Sequence, residues 1–116
     1  MTDDCLFCRI VAGEIPATMV HETDDTLAFR DIDPKAPVHV LVIPKAHHRD
    51  VAALAFADPG LTGKVMAACA AVAEQEGLTG DGYRIIFNVG AHGGQEVFHV
   101  HGHVLGGQPL GRMLSV

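Results

Sequence analysis

The segment Phe98-His99-Val100-His101-Gly102-His103-Val104-Leu105 carries an imidazole at every second position from 99 to 103. On a strand, alternate side chains share a face, so His99, His101 and His103 form one predicted row, with Val100 and Val104 behind it. Three imidazoles in a core are costly unless each finds a partner, and an ordinary satisfied core accounts for one such residue better than for three. Two chemistries suit the row. Three imidazoles with an open fourth position make a catalytic zinc site. Alternatively, one ring attacks an anionic centre while its neighbours donate hydrogen bonds, and crowding favours the neutral, nucleophilic ring. Just ahead lies Gly90-Ala91-His92-Gly93-Gly94. Backbone N–H groups at Gly90, Gly93 and Gly94 can approach a phosphate closely, which favours the second chemistry; taken alone, the segment reads equally well as a hairpin turn.

Cys5-Leu6-Phe7-Cys8 is the other chemically loaded spacing. By itself it fits a zinc half-site, a redox pair or two buried helix residues. Cys69 falls on an apolar helix face and reads as a core thiol.

The elements that must hold these groups follow from turn and periodicity signals. Cys5 to Ala12 reads as a short helix stopped by Gly13. Thr18 to Glu22 and Leu27 to Arg30 read as strands around Thr23-Asp24-Asp25, and His39 to Ile43 as a buried strand closed by Pro44. Asp58-Pro59 is a helix start, because Asp caps free N–H groups and Pro suits the first helical position. Leu61, Val65, Cys69 and Val72 follow on one face, and Gly77 ends that helix. Tyr83 to Asn88 and Val97 to Leu105 are the last two strands. The fold class is α+β: an antiparallel sheet of about five strands with one long and one short helix.

The chain has 116 residues, 48% hydrophobic and 19% charged, enough for one domain spanning 1–116 with a real core. It holds 8 His against one Tyr and no Trp. A net charge of -6 argues against gripping a long nucleic acid, though not against a single nucleotide. The 3 cysteines do not suggest a disulfide framework, no apolar run is long enough for a membrane span, and the acidic start Met1-Thr2-Asp3-Asp4 lacks a secretory signal, so a cytoplasmic protein is expected.

The run from His99 to Leu105 resembles the histidine triad (HIT) motif, in which three histidines alternate with hydrophobic residues. Further blocks extend the resemblance over nearly the whole chain: Phe7-Cys8-Arg9-Ile10, Glu14-Ile15-Pro16-Ala17, Leu27 to Pro34, Pro37 to Lys45, Asn88 and Gly93 to Phe98. The closing Leu105-Gly106-Gly107-Gln108-Pro109-Leu110-Gly111 is similar to the Hint-like branch, the nucleoside phosphoramidases. The resemblance implies a HIT-like fold and a hydrolase cleaving purine nucleoside 5′-phosphoramidates or acyl-nucleotides to the nucleoside monophosphate. His101 would be the nucleophile, with His103 and His39 as donors to phosphate or leaving group. Asp31 would accept from the ribose hydroxyls, and Phe7, Ile10, Phe29 and Ile32 would surround the base. Asn88, Gln95 and the Val97 backbone would orient the phosphate. No metal is implied for the reaction itself.

Two positions depart from the family pattern. Gly102 stands where a hydrophobic residue is expected, which predicts a packing cost. Glu96 stands where the branch carries a Ser associated with protonating the leaving amine; a Glu would serve if partial burial raised its pKa. The resemblance also implies a structural zinc on Cys5, Cys8, His47 and His99. His48 and His21 are expected at the surface, and His92 in the phosphate-side loop. A symmetric homodimer is expected too: Met66, Ala70 and Ala73 widen the apolar helix face, and the strand from Tyr83 is apolar on both faces. In that arrangement two sheets join and the partner's tail, Gly106 to Val116 with Met113 and Leu114, reaches towards the site; in a free monomer this tail is expected to be disordered. The competing readings are a non-catalytic nucleotide-binding or interaction module and a zinc metallohydrolase, which a chelator would inactivate.

Overall fold

The computed structural model describes residues 4–114. Thus Met1 to Asp3 of the acidic start, and Ser115 and Val116 of the tail, lie outside the described residues. The chain runs α1 (Leu6–Val11), β1 (Met19–Glu22), β2 (Thr26–Arg30), β3 (Val38–Pro44), α2 (Val51–Ala57), α3 (Pro59–Gln75), β4 (Arg84–Phe87) and β5 (Gly102–Gly106). All strand pairs are antiparallel, in the order β1-β2-β3-β5-β4. No helix among the described residues is long and apolar enough to cross a membrane.

Period-two alternation on β3 and β5 splits the core between the two sheet faces. Val40, Val42, Val100 and Val104 meet Val65, Ala68, Cys69 and Val72 of α3 in one cluster. Leu41 and Ile43 meet Leu27, Phe29 and the α1 residues Phe7 and Ile10 in another. The short helix therefore lies on the histidine face and the long one behind it. As expected, α3 starts with Pro59 inside the Asp58 cap, whose carboxylate accepts the Leu61 N–H at 3.0 Å.

Three expectations change. There are two short helices, not one. Asp50 caps α2 by accepting the Ala53 N–H at 2.9 Å, and Leu54 is its one buried residue, so a single anchor replaces a periodic stripe. The expected strand Val97 to Leu105 is paired only from Gly102 onward. Its partner β3 ends at Pro44, which has no N–H to give, and the Val100 N–H goes to the His48 carbonyl at 2.8 Å. Gly102, finally, is a fit and not a packing cost. A Cβ there would lie 2.7 Å from the Phe87 ring and 3.1 Å from the Cys69 sulfur, so strand and helix approach more closely than any side chain allows.

Candidate active site

Register brings His39 into the triad. In the β3–β5 ladder Leu41 faces His103 and His39 faces Leu105, so His39 and His103 are diagonal neighbours on one face. His39 Nε2 and His103 Nδ1 are 2.9 Å apart, and their rings are 5.2 Å between centroids. The Lys35 N–H donates to His39 Nδ1 at 3.0 Å, and Asp31 Oδ2 is 3.4 Å from His39 Nε2. His101 sits 4.9 Å from His103 and packs edge-on against Phe7, 5.1 Å between centroids.

Hydrogen-bond partners fix the chemistry of His101. Its Nδ1 is 2.8 Å from the His99 carbonyl, which can only accept, so the proton is on Nδ1 and Nε2 keeps a free lone pair. Burial lowers the His101 pKa, outweighing its bond to the His99 carbonyl and the charges of Asp31 and Glu96. Burial, then the neighbouring His101 and His39, pushes His103 down to about 4. These rings are neutral near pH 7, as a nitrogen nucleophile requires. His103 Nε2 is the only buried side-chain polar atom among the described residues without a partner.

A second group includes His99, two residues before His101. The ligand atoms of Cys5, Cys8, His47 and His99 lie within 4.8 Å of one another. His99 Nδ1 is 3.4 Å from both sulfurs, and His47 Nδ1 is 3.3 Å from Cys8 Sγ. In tetrahedral zinc, bonds of about 2.3 Å to sulfur and 2.0 Å to nitrogen put neighbouring S and N ligands about 3.5 Å apart, so the cluster matches a metal in size and donor type. The His99 Nε2–H donates to the Pro44 carbonyl at 2.8 Å, which leaves Nδ1 bare towards the sulfurs. Burial pushes His99 down to about 4, the neutral form a metal needs. Burial and the adjacent Cys5 push the Cys8 thiol up to about 11, and a divalent cation between the sulfurs would reverse that by stabilising the thiolate. These residues could hold a metal ion.

The triad, its partners and the Cys/His cluster now stand beside known proteins. The family model for the HIT domain matches residues 12–110. The chain belongs to the histidine triad family. It is 44% identical over 115 residues to the purine nucleoside phosphoramidase of Escherichia coli (strain K12), covering 99% of this chain and 97% of that protein. Among solved structures, a HIT family hydrolase from Clostridium thermocellum superposes with a TM-score of 0.93 at 40% identity, covering 98% of this chain and 100% of that one. Another, from Legionella pneumophila, gives 0.89 at 47% identity, covering 93% and 96%.

The remaining candidate residues of this histidine triad protein fall into three groups. Phe7, Ile10 and Phe29 are buried, with Phe7 edge-on to Phe29 at 5.3 Å, whereas Ile32 is 100% exposed. Asn88 and Val97 are half-buried beside the glycine loop. Gln95 is buried and its amide is spent inside the protein: Oε1 accepts the Gly90 N–H, and Nε2 donates to the Arg49 and Val97 carbonyls. It braces the loop and has no donor left for a phosphate. The N–H groups of Gly90 and Gly94 are likewise engaged, with Gln95 Oε1 and the Ala91 carbonyl. Gly93 is required by close approach, since a Cβ would lie 2.5 Å from the Val89 carbonyl oxygen. Glu96 is exposed, so the partial burial expected of a carboxyl proton donor is missing. Both ring nitrogens of His39 face groups inside the protein, Nδ1 the Lys35 N–H and Nε2 the His103 Nδ1. His48 and His21 are half-buried and His92 exposed.

Nothing in the residue pattern marks the Lys35 amide, because backbone donors leave no residue-type trace. The described part of the tail is held, not free: the Arg84 guanidinium donates to the Gly111 carbonyl at 2.9 Å, while Met113 and Leu114 remain exposed. Ala73, expected in the surplus apolar surface, is in the core; Met66 and Ala70 are exposed.

Proposed function

We propose that this histidine triad hydrolase cleaves purine nucleoside 5′-phosphoramidates or acyl-nucleotides through a covalent nucleotidyl-histidine on His101. The observation that carries the reading is a pair of neighbouring ring nitrogens: a bare Nε2 on His101 beside an unpartnered, buried Nε2 on His103. The His101 lone pair would attack the α-phosphorus as the bond to the leaving nitrogen or oxygen breaks. That electron pair goes to the leaving atom, which departs as an amine after taking up a proton, or as a carboxylate. Water would then attack the phosphorus, lose a proton, and release the nucleoside monophosphate, restoring the lone pair. His103 Nε2–H would stabilise charge on the phosphoryl oxygens and leaving atom. Asp31 is half-buried beside His39 and would accept from the ribose; Asn88 and the Val97 backbone would meet the phosphate, and exposed Ile32 would cover the base.

Cys5, Cys8, His47 and His99 would hold a structural zinc. Four protein ligands leave it no open position, so it would supply no reaction chemistry and would tie α1 to the segment carrying His101. Unpaired thiols of this kind suit the reducing cytoplasm. The chain would act as one domain over 1–116. Incubation with adenosine 5′-phosphoramidate and with lysyl-adenylate should release AMP from both. Absence of AMP from both substrates would defeat the reading.

We also propose a homodimer joined across β4, one of the two edge strands of the sheet. Exposed Tyr83, and a cavity of about 690 Å³ lined by Leu78, Tyr83, Arg84 and Gly107 to Leu110, lie along that edge. A second copy would continue the sheet and protect the edge. Light scattering at micromolar concentration should give twice the single-chain mass. A single-chain mass in protein that still releases AMP would rule out an obligatory dimer.

A further inference from the structure

We infer that the main-chain N–H of Lys35 is a positioning group for the reaction: it sets the tautomers of His39 and His103 in series, so that His103 presents a protonated Nε2 to the phosphoryl site. The inference rests on the proposed nucleotidyl transfer to His101. A backbone N–H can only donate, so His39 Nδ1, 3.0 Å from it, must accept. A neutral His39 then carries its proton on Nε2, where Asp31 Oδ2 at 3.4 Å favours it. That proton faces His103 Nδ1 at 2.9 Å, which must accept in turn, and the His103 proton is left on Nε2. This is the buried nitrogen with no partner.

The opposite setting is unproductive. A proton on His39 Nδ1 would meet the Lys35 N–H donor to donor. His103 would then donate from Nδ1 and turn a bare lone pair towards phosphate oxygens. The amide on Nδ1, together with Asp31 Oδ2 beside Nε2, therefore selects the donating arrangement. The same geometry separates this pair from the Cys/His cluster, although the ligand atoms of Asp31, His39 and His103 also lie within 4.8 Å of one another. A metal there would need a bare Nε2 on His39, which the Lys35 N–H opposes. The loop is built to hold the amide still: Asp31 Oδ1 accepts the Asp33 N–H at 2.8 Å, and Lys35 Nζ reaches the Asp33 carbonyl and carboxylate, both at 2.8 Å. Pro34 and Pro37 flank Lys35 and restrict the backbone further.

The test reads the tautomers directly. Long-range 1H–15N spectra of the histidine-labelled wild-type protein should show His39 and His103 both protonated on Nε2 and bare on Nδ1. Lys35→Pro deletes the N–H, whereas Lys35→Ala keeps it. Lys35→Pro should show mixed tautomers at His39 and a kcat about tenfold or more below that of Lys35→Ala, with KM moving less, since a wrong tautomer can cost on the order of 10⁴-fold. A bare Nε2 on His39 in the wild-type protein overturns the inference, even if Lys35→Pro fails to fold. So does a Lys35→Pro variant with the tautomers and kcat of Lys35→Ala. Wild-type protein with the expected tautomers but no AMP release would instead defeat the proposed function and leave the tautomer ordering standing.

Discussion

His101→Asn is expected to lower kcat at least ~10³-fold while AMP binds within a few-fold of the wild-type affinity. An essential nucleophile contributes only to the transition state, so its loss falls on turnover and not on ground-state binding. Asn is the informative substitution because its side-chain N–H can still reach the His99 carbonyl that His101 Nδ1 engages at 2.8 Å, but it offers no basic nitrogen. His101→Ala should be equally inactive and also less stable, since it removes the ring that packs against Phe7. His101→Gly leaves room for added imidazole to attack in its place, and partial rescue by imidazole would point to the missing ring nitrogen itself. Turnover of the Asn and Ala variants within tenfold of wild type would end the covalent mechanism.

Cys8→Ser is expected to lose zinc and melting temperature together. Metal bound only by the folded chain stabilises it by its binding free energy. Cys8 faces both His47 and His99, so its removal breaks two sides of the cluster at once. Weakening the site by a few kcal/mol lowers Tm by roughly 10 °C in a chain of this size. Cys5→Ser should lose zinc similarly but keep the start of α1 capped, because Ser Oγ can accept the Cys8 N–H that Cys5 Sγ accepts at 3.3 Å. A chelator should lower Tm without stopping turnover at low temperature, the opposite of what a zinc metallohydrolase would show. The measurements are elemental analysis and thermal unfolding of the same samples. Wild-type protein that remains free of zinc after growth with added metal would refute the assignment.

The parts of the molecule legible in its sequence are those governed by side-chain type. Asp58-Pro59 announced α3 because capping and a preset φ act locally. The run His39 to Ile43 announced a buried strand because both its faces are covered. The alternation of His99, His101 and His103 announced a shared face that period two delivers. α2 was missed because Val51 to Ala57 has no polar stripe, and its one usable signal, Asp50 ahead of an alanine-rich run, is weak. β5 was drawn too long because the end of its ladder depends on Pro44, 58 residues earlier. The family resemblance puts Gln95 at the phosphate, and the amide side chain itself says nothing about where its hydrogen bonds go. Only the folded loop shows that Gly90, Arg49 and Val97 consume them.

The backbone of His101 lies beyond the paired part of β5, and this separates two kinds of sequence change. Residues within a ladder inherit their placement from the whole sheet, so shifting one shifts its neighbours. The segment from His99 to His101 is instead fastened from outside: by Val100 to the His48 carbonyl, by His99 to the Pro44 carbonyl, and by the two thiols. Its position is therefore inherited from residues 44–48 and the start of α1. Over evolutionary time, substitutions beyond Pro44, the last residue of β3, can move the His101 ring without disturbing the sheet. Changes in leaving-group preference among descendants of this chain should accordingly map to positions that never touch the substrate.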